Sequence, residues 1–490
     1  MIPIMIIPKG RFKARFRSGS SKVVLLFVIF LLPSVLGQSD KDDDGDDCSE
    51  TPFECPKPNG NFADPCECRR FYICNTYVPT KILCPARLRW DDRKKECTYE
   101  NEAECGPIEA VERDEEKEKI EEAPKCDPEQ CQLPYCFCSK DGDEPPVDPE
   151  SIPQFILLMI DGAVNTNNFH FYQSLLNNTD QEEEKRLKAT FFIQNEYCNY
   201  YMVERLYTEG HEIALSSVTG RNLQRANASV WRNEFGSLRD ILIKYSNVAP
   251  EDILGVRAPR LKPGYNEQYQ ALIEEGFIWD SSVSTVPLET PVWPYTLDYK
   301  IPHECRVKSC PTKSFPGLWE LPLNSHFVSD DTGGQCPFVD QCVFNYQSSN
   351  SVFEWLKEDF LRNYENNRSP YILSLHTNWF LTESQEEGLH KFVDWARTQD
   401  DIFFVTGTEF LLWLTDENLD QGSKTSYQSP PLLTKREMSC NTPNSCELSH
   451  TESNGVETLR YMKTCRDCPQ IYPWLKPVEE ENFDGISDEN

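Results

Sequence analysis

The sequence predicts a multidomain chain: a small disulfide-stapled β-rich module, followed by an α/β domain built as a distorted β/α barrel. Three observations carry that expectation. Cysteines crowd the stretch from Cys48 to Cys105. From Ile152 to about Thr415, short apolar strands alternate with amphipathic helical segments. The 490 residues, 39% hydrophobic and 12% aromatic, supply apolar matter for roughly two to four folded units and exclude global disorder.

Charge and cysteine chemistry narrow the class. Lys and Arg number 49 against 80 Asp and Glu, a net charge of −31. Phosphate contacts need clustered cations, so nucleic acid and anionic membranes are excluded as main partners. The 21 cysteines read as disulfides formed in an oxidising compartment.

Residues 1–37 predict the route of export. Lys9, Arg11, Lys13, Arg15, Arg17 and Lys22 precede the apolar run Val23–Leu32 and then Pro33-Ser34-Val35-Leu36-Gly37. Ten continuous apolar residues are too few for a membrane span, and Val35 and Gly37 suit a cleavage site. A removed signal peptide is therefore expected, leaving a secreted, extracellular protein that no longer touches the membrane. Its removal takes six cations and no acids, so the net charge becomes −37. Asn177 and Asn227 begin sequons and are the expected glycosylation sites. Asn367 begins a poorer one, because Pro370 follows its Ser.

Composition then divides the chain into a cysteine-rich module at 48–106, a charged linker at 107–125, the barrel at 126–415 and an acidic tail at 416–490. In the module, Cys55, Cys68, Cys74, Cys84, Cys97 and Cys105 are separated by 12, 5, 9, 12 and 7 residues. So small a unit lacks a large core and needs staples. Zinc is a weak alternative, since the block has no histidine and no Cys-x2-Cys pair. Phe71, Tyr72, Tyr77 and Trp90 are more aromatics than such a unit can bury. Exposed aromatic faces suit a neutral sugar polymer, whose pyranose C–H groups stack on π-faces. These four are the candidate binding residues.

Ala63-Asp64-Pro65, Cys68-Arg69-Arg70-Phe71-Tyr72-Ile73-Cys74 and Arg89-Trp90-Asp91-Asp92 before Cys97 resemble a peritrophin-A type chitin-binding domain over about Cys55–Cys105. The resemblance implies the pairs Cys55–Cys74, Cys68–Cys105 and Cys84–Cys97. It also implies chitin, or a related N-acetylglucosamine polymer, as partner. Cys48 and Cys66 fall outside that scheme and are left to pair with each other.

In the large domain the expected strands are Phe155–Ile160, Ala189–Ile193, Glu212–Leu215, Leu254–Val256, Phe277–Trp279, Tyr371–Leu375 and Ile402–Val405. Between them, Trp231, Phe235, Leu238 and Leu242 share one helical face, as do Leu389, Phe392, Val393 and Ala396. Strand then helix, repeated, argues for a parallel barrel. In such barrels, polar residues at strand C-terminal ends line the site. Asp161, Arg257, Asp280 and His376 stand at such ends.

Gly210-His211-Glu212-Ile213-Ala214, Gly255-Val256-Arg257-Ala258-Pro259, Trp293-Pro294-Tyr295-Thr296 and Ser309-Cys310-Pro311-Thr312 resemble blocks of the polysaccharide deacetylase (NodB-like) family, narrowly the animal chitin deacetylases. Cys126, Cys131, Cys136 and Cys138 resemble the usual lead-in. The resemblance implies Asp161 as general base, Arg257 orienting it, His376 as the acid for the leaving amine, and Asp280 orienting His376. It implies a divalent metal held by one Asp and two His, polarising the acetamide carbonyl. Those ligand positions are Gly162, Ser216 and Gly220 here, so the metal triad is missing. Arg260 stands where relatives carry a tyrosine.

The leading expectation is therefore a secreted, chitin-binding pseudoenzyme, with Asp161, Arg257, Asp280 and His376 vestigial, no cofactor, and a role in binding or organising chitin matrix. One alternative is an active chitin deacetylase, hydrolysing a linear amide C–N bond with zinc on other ligands. A second is an extracellular scaffold that binds matrix proteins. The tail cysteines Cys440, Cys446, Cys465 and Cys468 could form two local disulfides, and Cys198 has no assigned partner.

Overall fold

A computed structural model describes residues 53, 55, 57, 59–64, 68–75, 78–84 and 88–99 of a first unit that ends at Glu115. In the second unit it describes 122–139, 141–176, 186–328, 335–342, 348–416, 419, 425, 427, 437–451 and 456–473. The expected signal peptide, Cys48, Cys66, Tyr77, Cys105, the linker up to residue 121 and Asn177 lie outside the described residues.

In the first unit, β1 (Asn59–Ala63), β2 (Arg70–Asn75) and β3 (Val78–Leu83) form an antiparallel sheet with β2 central. A hairpin follows, β4 (Leu88–Asp91) and β5 (Glu96–Tyr99). Its turn is closed by the Asp91 carboxylate, which accepts from the amides of Arg93 at 3.0 Å and Lys94 at 2.8 Å. The buried core is Phe71, Cys84 and Trp90. With so little apolar burial, the bridges Cys55–Cys74 and Cys84–Cys97 supply what the core cannot. Cys68 is also disulfide-bonded.

The second unit is built on parallel strands β6 (Gln154–Gly162), β7 (Ala189–Ile193), β8 (Glu212–Leu215), β9 (Gly255–Val256) and β10 (Trp279–Asp280). Then come β11 (Tyr295–Thr296), β12 (Trp319–Glu320), a short pair β13 (His326–Phe327) and β14 (Gln335–Cys336), β15 (Tyr371–His376) and β16 (Ile402–Phe404). The main ladder runs β11-β12-β10-β9-β8-β7-β6-β15, with β16 also on β6; only β11 is antiparallel to its neighbour. The sheet is thus open rather than a closed barrel: among the described residues, no pairing joins β11 to β15 or β16. Crossovers between parallel neighbours put helices on the sheet. They are α1 (Phe169–Leu175), α2 (Tyr200–Thr208), α3 (Ala228–Ser246), α4 (Tyr265–Glu275), α5 (Ser349–Glu365), α6 (Glu383–Arg397) and α7 (Gly407–Leu414).

Local chemistry sets the helix ends. Asn199 and Asn227 cap α2 and α3 through their side chains, and Ser348 and Thr406 form capping boxes at α5 and α7. Asn247 and Gly276 end α3 and α4 in the left-handed conformation.

Strand alternation divides the core in two. In β6, Ile156, Leu158 and Ile160 join the cluster containing the helix-face residues Trp231, Phe235, Leu389 and Phe392. Phe155, Leu157 and Met159 join a second cluster on the other face, with Phe192, Ala214, Trp279, Trp319 and Ile372. This second face is the concave side, and its parity decides which strand-end residues can meet.

Bridges Cys126–Cys138 and Cys131–Cys136 staple the lead-in, and Cys305–Cys310 and Cys336–Cys342 close loops. The tail forms an antiparallel hairpin, β17 (Asn444–Thr451) and β18 (Glu457–Thr464), held by Cys440–Cys465 and Cys446–Cys468. Cys198 is a free, buried thiol that burial pushes up to about 12. No helix among the described residues is long and apolar enough to cross a membrane.

Candidate functional site

Parity carries Phe155, Leu157 and Met159 onward to Asp161, so Asp161 ends β6 on the concave face. The same alternation carries Ile372 to His376 at the end of β15, where His376 and Asp161 are register partners. Arg257 follows Val256, whose side chain lies in the helix-side cluster, and so it too turns inward.

Arg257 is fully buried and saturated with partners. Its Nη1 donates to Asp161 Oδ1 at 2.5 Å, its Nε to the Ser281 carbonyl at 2.8 Å and its Nη2 to Ser281 Oγ at 2.9 Å. The guanidinium lies 3.9 Å above the Phe192 ring. Burial pushes the Asp161 carboxyl above the usual carboxylate range, while Arg257, and after it His376, pull the other way.

The expected Asp280–His376 pair does not form. Trp279 points to the concave face, so Asp280 points to the opposite one. There it accepts from Gln268 Nε2 at 2.8 Å and from Ser282 Oγ at 2.7 Å. Glu320 is its register partner on β12, and burial and then the Asp280 charge drive the Glu320 carboxyl well above the usual range. Asp340 orients His376 instead. Its Oδ2 lies 3.0 Å from His376 Nδ1, and its Oδ1 accepts the His376 amide at 3.1 Å. The Cys336–Cys342 bridge closes the turn that carries Asp340, and Phe338 of that turn lies 4.3 Å from the His376 ring, centroid to centroid. Burial alone would lower the His376 ring; the Asp340 hydrogen bond and the Asp161 charge outweigh it and raise the ring above its ordinary value.

The three positions the resemblance assigns to metal ligands are shaped differently. Gly162 has φ +133° and Gly220 has φ +63°, both disfavouring a side chain. A Cβ at Gly220 would lie 2.1 Å from Gln194 Nε2, so the Gln194 amide fills the space a side chain there would enter. Ser216, nearly buried, offers one hydroxyl. One serine hydroxyl, an arginine-paired Asp161 and two side-chain-free glycines do not fit a divalent metal. Among the described residues, no group of three or more His, Cys, Asp or Glu could hold one. His211 is buried among apolar groups and lowered to about 4 by burial and then Lys188, which marks it as a core residue.

In the first unit, Phe71 and Trp90 are not exposed platforms. They stack on each other at 4.1 Å and are 8% and 2% exposed. These two rings, with Cys84, make the buried core among the module's described residues. Tyr72 faces away from them, half-buried, stacked on Phe53 at 3.9 Å with a 3° interplanar angle. Phe53 lies ahead of the first stapling cysteine, where no spacing signal marks it. Asn227 is exposed, its Oδ1 accepting the Val230 amide at 3.0 Å. Asn367 is buried, its Nδ2 donating to the Asp143 and Pro291 carbonyls.

An open parallel sheet with Asp161, Arg257 and His376 at its concave strand ends, in a chain that also carries a stapled aromatic module, defines a carbohydrate-deacetylase-like class. Residues 55–105 match the Chitin binding Peritrophin-A domain. Chitin deacetylase 1 of Bombyx mori is 32% identical over 480 residues, covering 83% of this chain and 87% of the relative. Chitin deacetylase 8 of Bombyx mori is 29% identical over 367 residues, covering 72% and 92%. A solved structure, the Xyl-CE4 domain of a multidomain xylanase from the hindgut metagenome of Trinervitermes trinervoides, aligns over 53% of this chain and 90% of its own at 16% identity and TM-score 0.31. The chain belongs to the chitin deacetylase family.

Proposed function

We propose that this is a secreted chitin-binding pseudoenzyme that holds or organises chitin without deacetylating it. The observation that carries the reading is the pair of glycines at 162 and 220, in backbone conformations that disfavour side chains, with Gln194 filling the space at the second. A chain selected to hold a metal would keep side-chain donors there. Asp161 and Arg257 then serve as a buried ion pair joining β6 to β9, and His376 and Asp340 as a second link between β15 and its neighbouring turn.

Chitin enters this reading through the peritrophin-A domain, with Tyr72 and Phe53 offering the stacking surface. Export through residues 1–37 agrees with the disulfide content. Glycosylation falls on Asn227, whose amide nitrogen makes no hydrogen bond among the described residues, and on Asn177.

The test is to incubate the purified full chain with chitin beads and, separately, with N-acetylchitotetraose plus zinc or cobalt. Retention on the beads with the tetramer mass unchanged supports the proposal. Stepwise loss of acetyl groups from the tetramer overturns it.

A further inference from the structure

At the end of the ladder opposite β15, the sheet buries two carboxyl groups that the reading above does not use. Asp280 on β10 and Glu320 on β12 are register partners on parallel strands, and both are 0% exposed. Their surroundings differ. Asp280 Oδ1 accepts from Gln268 Nε2 at 2.8 Å and Ser282 Oγ at 2.7 Å, and its Oδ2 from the Ser282 amide at 2.9 Å and the Tyr269 hydroxyl at 3.4 Å. Glu320 Oε1 accepts from the Val283 amide at 3.0 Å, and its Oε2 has no donor within hydrogen-bond distance among the described residues. Four donors favour a charge on Asp280, and the poorer set makes Glu320 the site of a proton.

The groups packed around the pair do not offset a second charge. Arg257 feels both carboxyls, but its Nη1 is bonded to Asp161 and its Nε and Nη2 to Ser281. From α4 come Gln268 and Tyr269. From β11 comes Tyr295, the register partner of Glu320, whose hydroxyl lies 2.9 Å from His303 Nε2. Burial, and after it the two carboxyls, push both tyrosines well above their ordinary value, so they stay neutral. Burial lowers the His303 ring, which is therefore neutral at neutral pH and above. The ladder itself is short. β10 and β12 have two residues each, joined through the Trp319 amide on the Ile278 carbonyl at 3.0 Å and the Leu321 amide on the Asp280 carbonyl at 2.8 Å. The Leu323 amide continues the contact to the Val283 carbonyl at 2.9 Å.

We propose that Asp280 and Glu320 form a proton-operated latch: one proton on Glu320 keeps β10 and β12 paired, and its loss to solvent base parts this end of the sheet. Two carboxylates side by side in the interior repel strongly, because little water screens them. The segment released runs from β10 to β12 and carries β11 and the Cys305–Cys310 bridge. The β6–β7 ladder, with five register pairs, does not depend on that proton. The closed form keeps a proton that an exposed glutamate gives up from about pH 4.3 upward. Closure is therefore favoured most below that value and weakens as pH rises through the pKa of the closed form. The latch operates whether or not the chain binds chitin.

The test is amide hydrogen exchange of the full chain between about pH 5 and about pH 9, read by mass spectrometry and corrected for the chemical exchange rate. In the wild-type chain, protection of peptides holding Trp319, Leu321 and Leu323 should fall about tenfold per pH unit until Glu320 ionises in the closed form, the slope for one proton released on opening. Peptides from β6 and β7 should keep their protection. E320Q retains the acceptor for the Val283 amide and cannot ionise, so its β12 peptides should show no such slope. Wild-type β12 peptides that follow those of β6 and β7 across the range overturn the latch. So does a fall in E320Q as steep as in the wild type. Should E320Q not fold, the wild-type comparison of β12 with β6 and β7 decides alone.

Discussion

The two halves of the concave strand-end face have fared differently. On one, Asp161, Arg257 and His376 persist, each tied to neighbours by short hydrogen bonds. On the other, Gly162, Ser216 and Gly220 offer one hydroxyl among them, and the Gln194 amide fills the space beside Gly220. The difference separates two kinds of residue. Arg257 is part of the packing, so its loss would leave the Asp161 carboxylate and the Ser281 carbonyl without their donor. A metal ligand contributes little to folding once no metal is bound, so nothing in the packing holds it in place.

The strongest way to break that comparison is Arg257→Ala. Removing one partner of a buried pair typically costs about 3–5 kcal/mol, and urea denaturation should show a loss of that size. A loss below about 1 kcal/mol would mean that Arg257 is not retained for packing. In the first unit, Trp90→Ala should cost about 3–5 kcal/mol and abolish chitin retention by unfolding the module. Tyr72→Ala, by contrast, should leave the module's melting unchanged and weaken retention about threefold to tenfold. Equal melting losses for the two would contradict the division between core ring and platform ring.

A smaller effect sharpens the emptied half. Gly220→His should destabilise by about 1–2 kcal/mol, because the side chain must displace Gln194 and occupy a left-handed backbone. Gly220→His combined with Gln194→Ala should recover part of that loss.

The smallest effect is the titration of His376. Its raised pKa means that the folded state binds the proton more tightly than the unfolded chain. The stabilisation is therefore fully present below the unfolded value of about 6.5 and fades as pH rises through the folded pKa. The side chain is 38% exposed, so solvent screening keeps the stability change small and NMR is the better readout. Asp340→Asn should lower the His376 pKa; Asp280→Asn should leave it nearly unmoved.

Much of this arrangement was legible in the sequence. The apolar runs from Phe155, Ala189, Glu212, Tyr371 and Ile402 marked their strands, because buried parallel strands are apolar on both faces. The polar residues at their ends marked the site. Parity was the signal left unused. Counting from the apolar concave-face residues separates Asp161 and His376 from Asp280, and it shows that Asp280 cannot reach His376. Asp340 carried no such signal, since it sits in a turn 36 residues before its partner. Phe71 and Trp90 were misplaced because aromatic content alone does not say which rings a small module spends on its core. Gln194 stands directly after β7, as Arg257 stands directly after β9, but only geometry shows it against Gly220.

The central claim, that the emptied half leaves no deacetylase, is tested most directly by elemental analysis and acetate release on one sample of the purified full chain supplied with zinc or cobalt. The account predicts metal well below one equivalent and no acetate above the blank from N-acetylchitotetraose. Stoichiometric metal with metal-dependent acetate release, abolished by Asp161→Asn, would contradict it.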